Sequence, residues 1–439
     1  MLAEELYPYY LSFPKISIDT RSIQSGNLFF CIKGNINGNL FAQEAMEKGA
    51  AYVIMDDPKS ISSIENKSKV LEVENSLKSL QELASLHRSK LSIPIIGITG
   101  SNGKTTTKEL VRAVLAERYR VFATLGNLNN HIGVPLSILS IGEDKEIAII
   151  EMGANHQKEI EFLCSIARPN YGVITNIGKA HLEGFGGVEG IMTGKKELYD
   201  YLLKTQGLAF IFNGDARLLM MSPGLEKKLF YGSQGDEYIS GLVTEEFPFL
   251  KITWSNQLEP NKKYSIKTHL TGAYNLPNIL AAISLGSFFQ MHPEQINQGI
   301  ENYDPSNHRS QVKNIGGNEF ILDYYNANPD SMRAAIKNLS HHPALQKMAI
   351  LGDMFELGSD SETEHFKILE YLVQTKLNKN LLVGENFYAF RNIFPTLNFM
   401  QNIDGASLIV QEQKLKNFTI LVKGSRGMKL EQLIPAFEA

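Results

Sequence analysis

The sequence predicts an α/β protein built as three domains. Three observations carry that expectation: continuous apolar runs alternating with helical periodicity, a glycine-rich or polar turn after each run, and two points where this grammar breaks off and restarts. A chain of 439 residues with 43% hydrophobic content is long enough for two or three separate cores. Runs that are apolar at every position, rather than at alternate ones, belong to parallel strands covered on both faces.

Residues 1–90 form the first expected unit. "NLFFCI" and "AAYVIMDD" read as short strands between glycine-bearing turns, and a helical pattern closes near His87. The Ser/Lys/Asn-rich stretch 60–69 reads as an exposed loop. Residues 91–305 form the second unit, with strands at "SIPIIGIT", "EIAIIEM" and "YGVITNIG". Between 207 and 266 the pattern becomes strand- and turn-rich, as a β-extension of that domain. A helix follows "TGAYNLPN", with Ile279, Ala282, Ile283 and Gly286 at helical spacing. Residues 306–439 form the third unit, where "FILDYYNANP", "KMAILGDM", "KNLLVGEN" and "FTILVKGSRG" are strand-to-loop junctions.

Composition excludes several classes. A net charge of −4 without a Lys/Arg stripe gives no footprint for nucleic acid. The two cysteines, Cys31 and Cys164, lack metal-ligand spacing, so each reads as a small buried apolar residue in a reducing compartment. The start "MLAEELYPYYLSF" lacks the basic and apolar regions of a signal peptide, and no stretch is apolar for long enough to span a bilayer. The expectation is a cytoplasmic protein that does not insert into membranes.

The stretch "GITGSNGKTTTKEL" carries the chemistry. A buried-strand pattern runs into Gly100, Ser101, Asn102, Gly103, Lys104, Thr105 and Thr106, and then into a helix with Leu110, Val111, Val114 and Leu115 on one face. Strand, glycine loop, Lys-Thr and helix make a phosphate cradle: N–H groups point at the anion, Lys104 bridges phosphate oxygens and Thr105 can ligate Mg²⁺. The standard P-loop has a glycine where this chain has Ile98, which changes the subtype more than the chemistry. Glu151 and His181 close neighbouring junctions. If their strands flank the loop strand, both side chains reach the same crevice. Glu151 offers the hard oxygen that Mg²⁺ prefers; a histidine is a less usual ligand.

"TGSNGKTTTKE", "TLGNLNNHIGVPLSIL", "EMGANHQKEI", "TNIGKAHLEGFGG", "DYYNANPDSMRAA", "LGDMFELG" and "VKGSRGMKLE" together resemble the Mur ligase family across essentially the whole chain. "YNANPDSM" and "GNLNNHIG" are similar to the branch that joins D-alanyl-D-alanine to a UDP-N-acetylmuramoyl tripeptide. The resemblance implies a UDP-binding first domain, a central P-loop-type ATPase domain and a Rossmann-like last domain. It also implies ATP, two Mg²⁺ ions, an acyl-phosphate intermediate and a monomer.

The resemblance also implies roles. Lys104, His181 and Lys195 are expected at the reaction centre, with Thr105, Glu151, His181 and Lys195 around magnesium. Lys195 is expected to be carbamylated, by counting back from Tyr199 in "GKKELY"; Lys196 stands next to it. Asn275 and Asn278 are expected at the nucleotide base, and Arg309 and Asp323 at ATP on closure about a hinge near residues 304–307. The substrate residues implied are Asp19, Thr20 and Arg21 near the uridine diphosphate, and Asn127, Asn129, Asn130 and His131 along the acceptor peptide. Asn326, Asn328 and Asp353, with Glu356, belong to the dipeptide and nucleotide cleft, and Lys423, Ser425 and Arg426 to a loop that meets a substrate carboxylate. Two departures stand out. Asn37 to Phe41 replaces an Asp-Gly-His-x-Phe pattern, and Lys158 stands where the branch commonly has glycine. A related amide ligase, such as the tripeptide-forming Mur enzyme or a folylpolyglutamate synthetase, is one alternative; a non-catalytic nucleotide switch is another.

Overall fold

The computed structural model describes residues 1–306, 308–375 and 377–438. Asn307, which ends the expected hinge, lies outside them. Three sheets succeed one another along the chain. The first has four parallel strands in chain order, Ile16–Ser17, Leu28–Phe30, Tyr52–Met55 and Val70–Glu72. Side-chain alternation divides its faces: Leu28, Phe30 and Ile54 pack toward helices Ala3–Ser12 and Ser76–Lys90, whereas Phe29, Cys31, Val53 and Met55 pack against helix Ala42–Glu47. Cys31 and Cys164 are both buried free thiols, as expected. The stretch 60–69 departs from the expected loop, because a short helix, Pro58–Ser63, enters it. Its signal was legible: Asp57 caps the helix and Pro58 occupies the first turn, where proline's fixed φ favours a start.

The central sheet has nine strands. Its switch point is Ile95–Thr99, which pairs in parallel with Ile147–Glu151 on one side and Tyr171–Ile174 on the other. The chain leaves this strand toward Val121–Ala123 and returns to fill the gap with Ile147–Glu151; it then crosses to Tyr171–Ile174. Strands Leu208–Phe212, Lys228–Gly232, Ile239–Glu245, Lys251–Asn256 and Tyr264–Lys267 extend that side, the last two pairings antiparallel. This is the predicted β-extension. Ile96, Ile98, Ile149 and Val173 face helices Lys104–Ala116 and Leu276–Phe288, while Ile95, Ala148, Ile150 and Ile174 face the opposite layer, so both faces are covered. Leu110, Val111, Val114 and Leu115 are fully buried, each contributing about 1.5–3 kcal/mol through its removal from water.

The last sheet runs Gln311–Ile315, Asn318–Asp323, Thr419–Lys423, Lys347–Gly352, Lys379–Val383, Phe399–Met400, with only the first pairing antiparallel. The strand-to-loop junctions expected from the sequence therefore lie at the carboxyl end of a parallel sheet. Among the described residues no helix is long and apolar enough to cross a membrane.

Candidate active site

A cleft of about 1200 Å³ lies at the carboxyl ends of the central strands and is closed on one side by the last domain. Its floor is the loop Gly100–Lys104. Gly100 has φ +141°, and a Cβ there would stand 2.0 Å from Thr175 Oγ1; Gly103 has φ +80° and lies against Asn278, so both positions need glycine. The loop is held from the neighbouring strand end. Ser101 N–H donates to Asn176 O, Asn102 N–H donates to Asn176 Oδ1 at 3.0 Å, and Thr175 Oγ1 donates to Asn102 O at 2.6 Å. Ser101 Oγ and Gly178 exchange two further bonds. Among the described residues no side chain caps helix Lys104–Ala116, so its first-turn N–H groups and positive dipole end suit an anion. Lys104 Nζ turns back onto Gly100 O at 2.7 Å and Ser101 O at 3.3 Å. Burial lowers its amine to about 8; Glu151 opposes that shift and Arg309 adds to it.

Glu151 is 1% exposed. Its Oε1 accepts from Asn129 Nδ2 at 2.8 Å, whereas Oε2 has no hydrogen-bond partner among the described residues and stands 3.9 Å from the buried Lys108 ammonium. An orphaned oxygen on a buried carboxylate, lining a cleft beside Thr105, fits a hard divalent cation. His181 lines the same wall at φ +56°, and its Nδ1 comes within 2.6 Å of Glu356 Oε2 without hydrogen-bond alignment. The approach still holds the Glu356 carboxyl below its usual range. Lys195 is 1% exposed; it donates to Ala154 O at 3.2 Å and lies over the Phe185 ring. Burial, then repulsion from Lys104, holds its amine well below the usual lysine value, against the pull of Glu159 and Glu197. Lys196 instead faces solvent and pairs with Asp200.

Asn275 and Asn278 are buried in one chain of bonds. Thr107 Oγ1 donates to Asn278 Oδ1, Asn278 Nδ2 to Asn275 Oδ1, and Asn275 Nδ2 to Thr271 O. Across the cleft Arg309 stacks 3.8 Å above the Tyr325 ring. Asp323 Oδ2 takes Lys423 Nζ at 2.6 Å. Asn328 bonds Asn102 side chain to side chain, 2.7 Å in one direction and 3.4 Å in the other, so the last domain touches the anion loop itself.

The sequence matches the Mur ligase catalytic domain over residues 13–88, the Mur ligase middle domain over 98–286 and the Mur ligase glutamate ligase domain over 308–426. A relative from Bacillus subtilis (strain 168), named UDP-N-acetylmuramoyl-tripeptide–D-alanyl-D-alanine ligase, is 34% identical over 95% of this chain and 92% of its own. The chain belongs to the Mur ligase family. A crystal structure of MurF from Acinetobacter baumannii matches all of this chain and 98% of its own, with a TM-score of 0.88 at 28% identity. That of MurF ligase from Thermotoga maritima in complex with ADP covers 98% of each chain, with a TM-score of 0.84 at 26% identity. The chain has the three-domain α/β architecture of Mur ligases.

Within this Mur ligase the predicted residues divide. Gly103, Lys104, Thr105, Thr106, Asn127, Asn129, Asn130, His131, Glu151, His181, Asn275, Asn278, Arg309, Asp323, Asn326, Asn328 and Lys423 all line the cleft. Asn129, expected along the peptide, is committed to Glu151. Lys423, expected at a substrate carboxylate, is buried and bonded to Asp323. Gly100, Lys195 and six expected substrate residues do not line the cleft. The Asp353 carboxylate is 3% exposed and accepts from Asn386 and Phe387 N–H groups. Ser425 is buried and accepts from Phe355 N–H; Arg426 turns outward toward Glu431. Asp19, Thr20 and Arg21 lie in the first domain, where Arg21 forks onto Asp19 and lowers its carboxyl to about 2. Asn39, in the departing Asn37–Phe41 turn, faces inward to Asp56. Lys158 adopts φ +71°, a left-handed conformation that explains glycine's preference there. Sequence reading missed Thr175, Asn176 and Lys108. The first two follow "YGVI" at a strand's carboxyl end, which was the available signal.

Proposed function

We propose that this enzyme joins D-alanyl-D-alanine to UDP-N-acetylmuramoyl-tripeptide with ATP, releasing ADP and phosphate and completing the pentapeptide precursor of peptidoglycan. The observation that carries the reading is the 34% identity with a ligase of that name over nearly the full length of both chains, on a chain whose anion cradle and last-domain cations face one cleft. The chemical obstacle is repulsion between a carboxylate and a triphosphate. Lys104 and the first-turn N–H groups of helix Lys104–Ala116 hold the phosphates, and Arg309 from the opposite wall adds positive charge. A carboxylate oxygen of the tripeptide then bonds the γ-phosphorus as the bond to the ADP oxygen breaks. The dipeptide amine attacks the resulting acyl phosphate, the C–O bond breaks, phosphate departs and the nitrogen loses a proton.

Thr105 and Glu151 would hold one Mg²⁺, and His181 and a carbamylated Lys195 a second. When bound, these ions offset phosphate charge. The depressed amine of Lys195 fits carbamylation, because only the neutral form adds carbon dioxide. The reading includes a cytoplasmic monomer.

The test is ADP release with either a diaminopimelate- or a lysine-containing tripeptide and D-alanyl-D-alanine as amine. Turnover that accepts only a free diamino acid or glutamate would move the enzyme to another branch. Lys104→Ala should abolish ADP formation with an unchanged circular dichroism spectrum; full activity would refute the phosphate role.

A further inference from the structure

The segment 178–183 leaves the carboxyl end of strand Tyr171–Ile174 and carries His181 between residues that meet the last domain. Asp330, in the first turn of helix Pro329–His341, accepts from Lys179 N–H at 2.7 Å through Oδ2. Glu364, in helix Ser361–Gln374, accepts from Lys179 Nζ at 2.7 Å. Glu356 brings its carboxylate to His181, and its carbonyl oxygen accepts from Glu183 N–H at 3.5 Å. The central segment thus presents a lysine and a histidine to three carboxylates carried by three separate parts of the last domain.

Lys179 is gripped at both its backbone and its side chain. Neither it nor Glu364 lines the cleft, so neither is placed to touch a substrate held there. The Glu364 side chain is 8% exposed and that of Lys179 34%, a more enclosed setting than the solvent-exposed pairs that contribute almost nothing. Burial works to raise the Glu364 carboxyl, yet the bonds from Lys179 and Lys367 outweigh it and hold it below the usual range. Lys367 lies three residues along the same helix as Glu364, so it satisfies the carboxylate without linking domains. Lys179 alone of the two carries the bond across.

We propose that Lys179 and Glu364 are positioning residues whose ion pair holds the last domain against segment 178–183, setting where His181 stands relative to bound nucleotide. The inference rests on the ligase reading only in taking the nucleotide to be ATP or ADP. Its consequence is that the pair acts on nucleotide affinity through domain placement, since ATP contacts are divided between the anion loop and Arg309.

The test uses the full chain with Lys179→Glu, Glu364→Lys, the double swap and the milder Lys179→Met. ADP is titrated calorimetrically in the presence of Mg²⁺, and the ligand-free radius of gyration is measured by X-ray scattering. Each single reversal should weaken ADP binding about five- to tenfold, within the range usual for coupled sites, and enlarge the radius. Lys179→Met should fall between wild type and Lys179→Glu. The double swap should recover affinity and radius together. Wild-type ADP affinity in the single reversals, or losses the double swap does not restore, would overturn the proposal. ADP affinity is read without either peptide substrate, so failure to use D-alanyl-D-alanine would refute the assigned reaction and leave this result standing.

Discussion

The two oxygens of Glu151 are treated differently by the fold. Oε1 is fixed by Asn129 and Oε2 is left without a hydrogen bond, 3.9 Å from Lys108. A buried polar atom without a partner is costly, by about 1–3 kcal/mol, so the arrangement makes sense where a cation completes it. Glu151→Gln keeps the size and an acceptor for Asn129 but removes the charge. Its rate of ADP formation should fall about 100-fold or more, as the several kcal/mol of metal-dependent charge stabilisation implies. Asn129→Ala leaves the carboxylate charged but unaimed, and should weaken Mn²⁺ binding in the presence of ADP about 10- to 100-fold, the usual consequence of losing an outer partner of a ligand. A coupled assay of ADP release checks the first and electron paramagnetic resonance of bound Mn²⁺ the second; unchanged Mn²⁺ affinity in Asn129→Ala would return that residue to the peptide role expected from the sequence.

At the level of elements, helix Pro329–His341 shows how one residue serves fold and site at once. Asn328 caps it, accepting from Ser331 N–H at 3.0 Å, and the same amide bridges to Asn102. Asn328→Ala should lose about 1 kcal/mol of stability through the cap and also weaken ADP binding. Asn328→Asp retains a capping oxygen but sets a negative charge against the anion loop. It should therefore keep the melting temperature and lose ADP affinity; wild-type ADP affinity in both variants would argue that the bridge to Asn102 is incidental. Such double use limits what sequence alone reveals. The strand-loop-helix around Lys104 was legible because strand periodicity, Gly100, Gly103 and a helical face are all local signals. That Glu151 and His181 flank the loop depended only on strand order, which a doubly wound sheet restricts. By contrast, nothing local distinguishes Asn129, bonded to a carboxylate 22 residues away, from an asparagine that awaits a peptide. Asp353 and Ser425 sit in loops that look like binding loops and Lys423 ends the strand beside them, yet their polar atoms are bonded within the last domain.

Across the whole molecule, buried histidines tie stability to pH. His87, on the helix that ends the first domain, is hydrogen-bonded to Tyr7, Tyr10 and the carbonyl of Ile141 in the central domain, and burial lowers its basicity although Ile141 and Glu143 oppose the shift. His365, fully buried in the last domain, accepts Met354 N–H at Nε2 and approaches Ser361 O at 2.7 Å through Nδ1; burial again lowers its basicity. His308 and His342 shift the same way. Unfolded histidine takes up a proton near about pH 6.5, while these rings do so only at lower pH. In the interval between, the unfolded chain binds more protons than the folded one, so acidification favours unfolding. The melting temperature should therefore fall from pH 7.5 to pH 5.5, before the carboxylates held low by their partners begin to titrate. A second measurement assigns the effect: in His87→Gln, which cannot charge, the fall should be shallower than in wild type. A melting temperature flat over that range would mean that the rings protonate within the fold at no cost, contrary to their burial.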